Sequence, residues 1–574
     1  MPKSDTLIAA LLALLLAALL VPFACIGVDV HHDGIMLKPA LDVLSGQVLF
    51  RDTFMQYGAL TCYLQVLALW IYPALLSLKL LMVATYGVTL FFLYSAWRLL
   101  LPRSLTLAAC GLFIVFIPYF EPDWIMIPWS SDFAMMFQAI TLYALLQIIR
   151  GERTVAWGAV LGLACAASFW CRQPVGGLLA ASLVVIGLAL RWTGWTPPAG
   201  RGRATLVAAG LGFGAVFALF FAGIVLSGAL PAWWYQNFVW PAKWATQVGE
   251  DNLAYWTTVY VHPGRGAALL AVGLAVLAPR LLNRRWPVFS PRRAAVYYAG
   301  LVLLLALNHA WLGGLLALPD GGWSFALPVV VLLQAALAVG QAAPARARAR
   351  PAGYHLAATL AGLSLASLTQ YYPLPCSRHI LWSLAPAFGL VVWSLWRWSS
   401  ARALFVAGGL AAAFGPAAYD KYRWARYTLA QPLVTVTQPA MVAGMRVPAA
   451  QAEDFARIGA ALEAIARRAP GTPAALLGND ALYLCFSPVL DNPGPYFVAW
   501  TDLLPAAEAR ARWAWIYQRR PVLIFEQSKP AALATFCQQV RYTPVLFRPT
   551  AAVVVAVPDE LAGTPAARAG KGGP

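Results

Sequence analysis

The sequence predicts a polytopic α-helical membrane protein with about thirteen crossings, followed by a small extracytoplasmic α/β domain. Three observations predict it. Apolar runs of span length recur from the N-terminus to about residue 420. Short connectors rich in arginine alternate with connectors poor in it. Beyond residue 420 no run is long enough to cross a bilayer, and short strand-like and helical segments take over.

The composition agrees. Of 574 residues, 61% are hydrophobic and 11% charged, and the mean hydropathy is +0.67. A soluble chain carries about 25% charged residues. Each membrane span needs roughly 20 apolar residues, which accounts for the excess. The 24 Trp suffice for aromatic belts at both interfaces. The net charge of +18 would point to nucleic acid in a soluble protein. Here the basic residues gather in loops between apolar runs, as the positive-inside rule and anionic lipid require.

Apolar runs fall near 7–28, 59–76, 80–98, 104–120, 133–149, 155–171, 174–191, 205–228, 266–282, 295–316, 324–342, 354–371, 379–396 and 403–418. The first follows Lys3 and is too long for the apolar region of a signal peptide. It is expected to stay as a span with its N-terminus in the cytoplasm. Basic connectors at Arg98/Arg103, Arg150/Arg153, Arg191–Arg203, Arg280–Arg293, Arg346–Arg350 and Arg397/Arg402 then lie inside. The segments 29–58, 118–132, 229–263, 317–323 and 373–377 lie outside. Between the outer 29–58 loop and Arg98 the number of crossings must be odd, yet two apolar runs lie there. The first, short and ending at Tyr72-Pro73, is expected to be interfacial or re-entrant.

Residues 1–420 thus form the transmembrane module, 421–562 the extracytoplasmic α/β domain, and 563–574 a Gly/Pro/Ala-rich tail expected to be disordered. No CxxC pair supports a zinc or redox site. Cys485 and Cys537 share the C-terminal region, where an oxidising compartment would permit their pairing. Walker A, GxSxG and HExxH motifs are absent, and no inverted repeat is evident.

The chemistry concentrates in the first outer loop. It holds Asp29, His31, His32, Asp33, Asp42, Arg51 and Asp52 directly after the first span. Such a burst of ionisable groups beside a bilayer is a site by default. A carboxylate partly withdrawn from water there has a raised pKa and serves as a general base. The loop reads His32-Asp33-Gly34, then Leu44-Ser45-Gly46, Phe50-Arg51-Asp52 and Tyr57-Gly58-Ala59-Leu60. This pattern resembles the first external loop of GT-C-fold glycosyltransferases. It is most similar to bacterial relatives of protein O-mannosyltransferases and of the lipid A aminoarabinose transferase. Those often read Asp-Glu-Gly, Leu-x-x-Gly, aromatic-Arg/Lys-Asp and Tyr-x-x-Pro-Leu. The chain departs by carrying His-Asp for the acidic pair and Gly-Ala-Leu for Pro-Pro-Leu.

The resemblance implies a multi-pass enzyme of the bacterial inner membrane. It would move a sugar from a polyprenyl-phosphate donor to an extracytoplasmic glycan, lipid or protein. Asp33 is the first choice for its base and Asp29 the second. The loop 118–132 carries Glu121, Asp123 and Asp132. Members often place a second acidic residue there. Glu121 or Asp123 with His32 would suit a divalent cation, although some members use none. The alternative for Glu121 and Asp123 is to solvate a turn between Pro118 and Pro122.

Arg172 and Arg378 sit at outer turns, against the positive-inside rule. Each either joins an ion pair with the acidic loop or meets an anionic partner, for which a lipid phosphate qualifies. Lys243, in the aromatic, lid-like 229–263 loop, is a third phosphate candidate. Trp233, Trp234, Trp240 and Trp244 in that loop either stack on sugar or anchor in head groups, with anchoring preferred. The competing function is non-catalytic: a transporter or flippase of lipid-linked saccharides, or an envelope assembly protein.

Overall fold

The structure, a computed structural model, describes residues 2–117, 126–192, 195, 200–246, 293, 296, 297, 300, 352–367, 370, 377–398, 418, 419, 422, 423, 425–486, 506–526, 537–546 and 553–562. The runs 266–282, 324–342 and 403–417 lie outside these residues, as do nearly all of 295–316, Glu121, Asp123 and the 563–574 tail.

Among the described residues, six helices are long and apolar enough to cross a membrane: α1 (Lys3–Ala24), α4 (Leu75–Trp97), α6 (Ser130–Ile149), α7 (Thr154–Cys171), α8 (Gln173–Trp192) and α9 (Gly202–Leu226). Shorter helices are α2 (His32–Leu44), α3 (Ala59–Ile71) and α5 (Arg103–Val115). The Leu230–Trp234 turn, α10, runs into a π-helix over Tyr235–Val239. Two later helices, α11 (Ala352–Ser367) and α12 (Ser377–Trp398), return to the bundle. The protein is therefore a multi-pass membrane protein.

The two ends of the bundle are marked by ion pairs. Asp5, buried at the start of α1, pairs with Arg98 at 3.1 Å and Arg103 at 2.8 Å. At the other end of α4, Lys79 pairs with Asp33 at 2.7 Å. Lys79 and Arg98 are separated by about 28 Å along α4, close to a bilayer's hydrocarbon thickness. So α4 alone carries the chain from the first loop to the Arg98/Arg103 connector. Helix α3 has 13 residues, about 20 Å of helix, and stays near the loop end. It stops because Tyr72 precedes Pro73 and is driven to an extended conformation (φ −146°, ψ 108°). Helix α5 also has 13 residues, shorter than the 104–120 run predicts, because Phe116 leaves the helix.

Beyond residue 430, β1 (Leu433–Thr435) and β2 (Arg446–Pro448) form a small antiparallel ribbon. A second sheet has the order β3 (Ala474–Leu477), β4 (Val522–Glu526), β6 (Val553–Pro558), β5 (Tyr542–Leu546). β3 and β4 are parallel and the other pairs antiparallel. β6 is an unbroken apolar run because both of its faces are covered. Val553, Val555 and Val557 face one cluster, and Val554 and Ala556 the other. Helix α13 (Ala449–Arg468) lays Phe455, Ile458 and Leu462 on the first face, while Ile516 of α14 (Ala506–Arg519) joins the second.

The first cluster is continuous with the core of the first loop, through Ile35, Met36, Phe50 and Phe54. Gly27 N–H donates to the Arg446 carbonyl at 2.9 Å, and Arg446 N–H to that of Cys25 at 2.7 Å. Leu482 N–H donates to Val30 O at 3.0 Å. Loop and sheet thus fold as one body. Cys485 and Cys537 are free thiols buried in different clusters.

Candidate functional site

Two glycines of the loop motif position everything else. A Cβ on Gly34 would lie 2.0 Å from the Leu482 nitrogen, and one on Gly58 would lie 1.9 Å from the Trp170 carbonyl oxygen. Glycine therefore lets α2 press against the 3₁₀ turn Ala481–Cys485. It also lets the loop's exit press against the end of α7. Gly58 N–H donates to Cys171 O at 3.0 Å, and Thr61 Oγ1 to the same carbonyl at 3.1 Å. Arg172 is the next residue. The backbone thus brings the misplaced arginine to the acidic loop.

Within the loop, Asp29 caps the turn that leads into α2. Its Oδ1 accepts the N–H groups of His31 at 3.0 Å and His32 at 2.7 Å. Its Oδ2 lies 3.0 Å from His32 Nδ1. The side chains of His32 and Asp29 are 20% and 17% exposed, so this pair meets solvent. Burial alone would raise the Asp29 pKa, but the His32 hydrogen bond and the neighbouring imidazoles hold it below the usual carboxylate value. His31 Nδ1 lies 2.6 Å from the carbonyl of Asn479, which fixes the loop to the C-terminal sheet.

Asp33 lies behind this pair and is fully buried. The expectation of a carboxylate only partly withdrawn from water does not hold for it, because α2 turns its side chain inward against α4. Its Oδ2 accepts from Lys79 Nζ at 2.7 Å and from the Asp29 backbone N–H at 3.0 Å, while Oδ1 is buried without a hydrogen-bond partner. Burial raises its pKa to about 6, against the opposing pull of Lys79. A second buried group underlies the loop: Asp42 accepts from Lys38 and from Thr53 Oγ1, the latter at 2.7 Å.

Arg172 occupies the second half of the site. Its Nη1 donates to Ser131 Oγ, and its guanidinium stands 6.0 Å from the centre of the Trp382 ring. Asp132 Oδ1 accepts from Trp382 Nε1 at 2.8 Å and from Tyr86 OH at 2.9 Å. Trp382 lies one turn before Pro386 in α12. Pro386 offers no N–H to the Trp382 carbonyl, which Gln370 Nε2 takes instead at 3.0 Å. Burial pushes the Tyr57 hydroxyl up to about 12, and the Arg172 charge opposes the shift.

Trp129 joins the two halves. Its ring centre is 4.9 Å from that of His32, 6.1 Å from Tyr57 and 6.3 Å from Trp382. Gln65 Nε2 pins the preceding Pro128 carbonyl at 3.0 Å.

Of the other predicted residues, Arg378 lies in the first turn of α12, and its side chain is outside the described part. Lys243 is exposed, with Nζ 3.4 Å from Tyr235 OH. The lid-like segment is described to residue 246, where it is fastened to the loop. Gln236 bonds Phe50 O at 2.7 Å and accepts Met55 N–H at 2.9 Å. Asn237 Nδ2 donates to Met55 O at 3.3 Å, and its Oδ1 accepts from Gln173. Trp233 and Trp240 are buried against Trp170 and Phe54, which corrects the preference for head-group anchoring at these two. Among the described residues, no three His, Cys, Asp or Glu side chains are placed to hold a metal ion.

Sequence reasoning passed over Lys79, Trp129, Ser131 and Trp382. Lys79 had a signal: it is a lone charge in the apolar run Leu75–Trp97, and such a charge implies a buried partner.

No protein-family model matches the chain, and no curated protein matches it by sequence. Among solved structures, the chain is similar to the oligosaccharyltransferase of Archaeoglobus fulgidus in its apo form. The TM-score is 0.49 and the identity 14%, over 91% of this chain and 69% of that one. It is also similar to the A. fulgidus oligosaccharyltransferase AglB in complex with an inhibitory peptide and a dolichol-phosphate, with TM-score 0.48, 14% identity and the same coverage. A third similarity is to ArnT from Cupriavidus metallidurans bound to undecaprenyl phosphate. There the TM-score is 0.43 and the identity 12%, over 98% of this chain and 100% of that one. Each of these three TM-scores lies below 0.5.

Proposed function

We propose that the chain is a GT-C-type membrane glycosyltransferase that uses a polyprenyl-phosphate-linked sugar and an extracytoplasmic acceptor. The reading is carried by one observation. A solvent-reaching carboxylate–imidazole pair and a guanidinium are joined through Trp129 and Trp382, at the loop end of a multi-pass bundle. The first is the equipment for deprotonating a nucleophile, the second for receiving a phosphate.

Asp29 takes the proton from the acceptor hydroxyl or amine. The acceptor heteroatom bonds to the anomeric carbon as the bond from that carbon to the phosphate oxygen breaks. The lipid phosphate leaves with the electron pair, and Arg172 offsets its growing charge. The geometry favours Asp29 over Asp33 for the base, since Asp29 reaches solvent and Asp33 is committed to Lys79. Asp33 keeps Asp29 in place through its backbone N–H. His32 orients the Asp29 carboxylate. The bundle holds the prenyl chain, and the loop end faces the outer leaflet of a bacterial inner membrane. Arg378 and Lys243 are further contacts for the phosphate.

The test is transfer by the purified chain in proteoliposomes, supplied with a panel of synthetic polyprenyl-phosphate sugars. At least one donor is expected to lose its sugar to an acceptor, and Asp29→Asn to abolish the loss while the protein still folds. A chain that moves lipid-linked saccharide across the vesicle without cleaving it would be a transporter, and the proposal would fail.

A further inference from the structure

Trp129 lies at the seam of the molecule. Its indole packs against both the transmembrane core and the core shared by loop and sheet, yet the residue is only partly buried. His32, Tyr57 and Trp382 approach it at interplanar angles of 61°, 86° and 72°. Its backbone is fixed. Trp129 N–H donates to Ile127 O at 2.8 Å, its carbonyl accepts Asp132 N–H at 3.2 Å, and Gln65 holds the residue before it. A large aromatic surface held rigidly at a partly open seam has a small ordering cost on binding.

Its position assigns the ligand. On one side stands the Asp29–His32 pair and on the other Arg172, supported on Trp382. Resting on the function proposed above, a donor whose phosphate meets Arg172 and whose anomeric carbon faces Asp29 must lay its sugar between them. Trp129 occupies that interval. We infer that Trp129 is the platform for the donor's sugar: the apolar C–H face of a pyranose ring rests on the indole. Trp129 is thereby a specificity-determining residue, one that selects donors by the sugar and not by the lipid. The sequence contains this residue in an outer loop where Trp otherwise serves as an interfacial anchor. The ring contacts with His32 and Trp382 distinguish it from such anchors.

The experiment compares binding of two lipids to the reconstituted full chain: a polyprenyl phosphate bearing a pyranose, and the same polyprenyl phosphate without sugar. The proteins are wild type, Trp129→Leu and Trp129→Phe, each checked by thermal unfolding. Trp129→Leu is expected to raise the Kd for the sugar-bearing lipid roughly tenfold and leave that for the bare lipid within about twofold. Trp129→Phe, which keeps a ring, is expected to recover most of the loss. If wild type binds the sugar-bearing lipid and Trp129→Leu binds it equally well, the platform is wrong while the transferase reading stands. Equal weakening for both lipids also overturns it, since Trp129 would then serve the phosphate or the fold. If wild type binds neither lipid, both readings fall.

Discussion

Lys79→Met tests the buried half of the site. Lys79 and Asp33 have side chains 1% and 0% exposed and meet at 2.7 Å. Removing one partner of such a pair leaves the other charge uncompensated in a place water does not reach, at a cost of about 3–5 kcal/mol. One Asp33 oxygen already has no hydrogen-bond partner, so no spare donor stands ready to replace the ammonium.

The pH dependence follows from the direction of the shift. Burial raises the Asp33 pKa from 3.8 to about 6 while Lys79 lowers it. A carboxyl whose pKa rises on folding favours the folded state fully below its unfolded value, and that contribution is lost as pH climbs through about 6. Lys79→Met takes away the group that opposes the rise, so the pKa moves higher still. The variant's deficit relative to wild type should therefore be largest at pH 7–8 and narrow towards pH 5, where Asp33 holds its proton. Adding Asp33→Asn removes the orphaned charge and keeps an acceptor for the Asp29 N–H. The double variant should regain most of the stability at pH 8. Thermal or SDS unfolding in micelles at several pH values measures all of this. A single variant as stable as wild type at pH 8, or a double variant no better than the single, would refute the reasoning.

Three further predictions follow from the same geometry. Gly34→Ala and Gly58→Ala each drive a Cβ into backbone, at 2.0 and 1.9 Å, so both should lower the melting temperature by several degrees. Gly111→Ala, with open space around it, should not. His32→Phe keeps a ring against Trp129 but removes the hydrogen bond that holds the Asp29 pKa down. The acid limb of the transfer rate should move to higher pH, and an unmoved limb would exclude Asp29 as the titrating group. Arg172→Lys keeps the charge but loses the planar fork poised over Trp382. The KM for the lipid-linked donor should rise roughly tenfold, and an unchanged KM would remove Arg172 from the phosphate site.

Local sequence carried the positions of the described bundle helices, because hydropathy is a property of short segments. The short α3 was legible as well, since the Tyr72-Pro73 boundary that ends it is local. The first loop stood out because its ionisable residues are adjacent in the chain. What stayed hidden was which carboxylate faces water. Asp29 and Asp33 are one helical turn apart and differ only in what packs against them. That is settled by Lys79, on another helix, and by the Leu482 backbone, from the far end of the chain. The Trp129–Trp382 relation was equally illegible, since it joins a loop to a helix about 250 residues later. The two motif glycines were visible as residues, but the reason for them was a close approach to distant backbone.

Asp29 is the group proposed to take the acceptor's proton. The most direct measurement is the single-turnover rate of sugar transfer from a preloaded lipid donor, in wild type and Asp29→Asn, with donor Kd measured alongside. The prediction is a rate lower by about 10²–10⁴ with donor Kd within about twofold of wild type. Transfer by Asp29→Asn at the wild-type rate would contradict it.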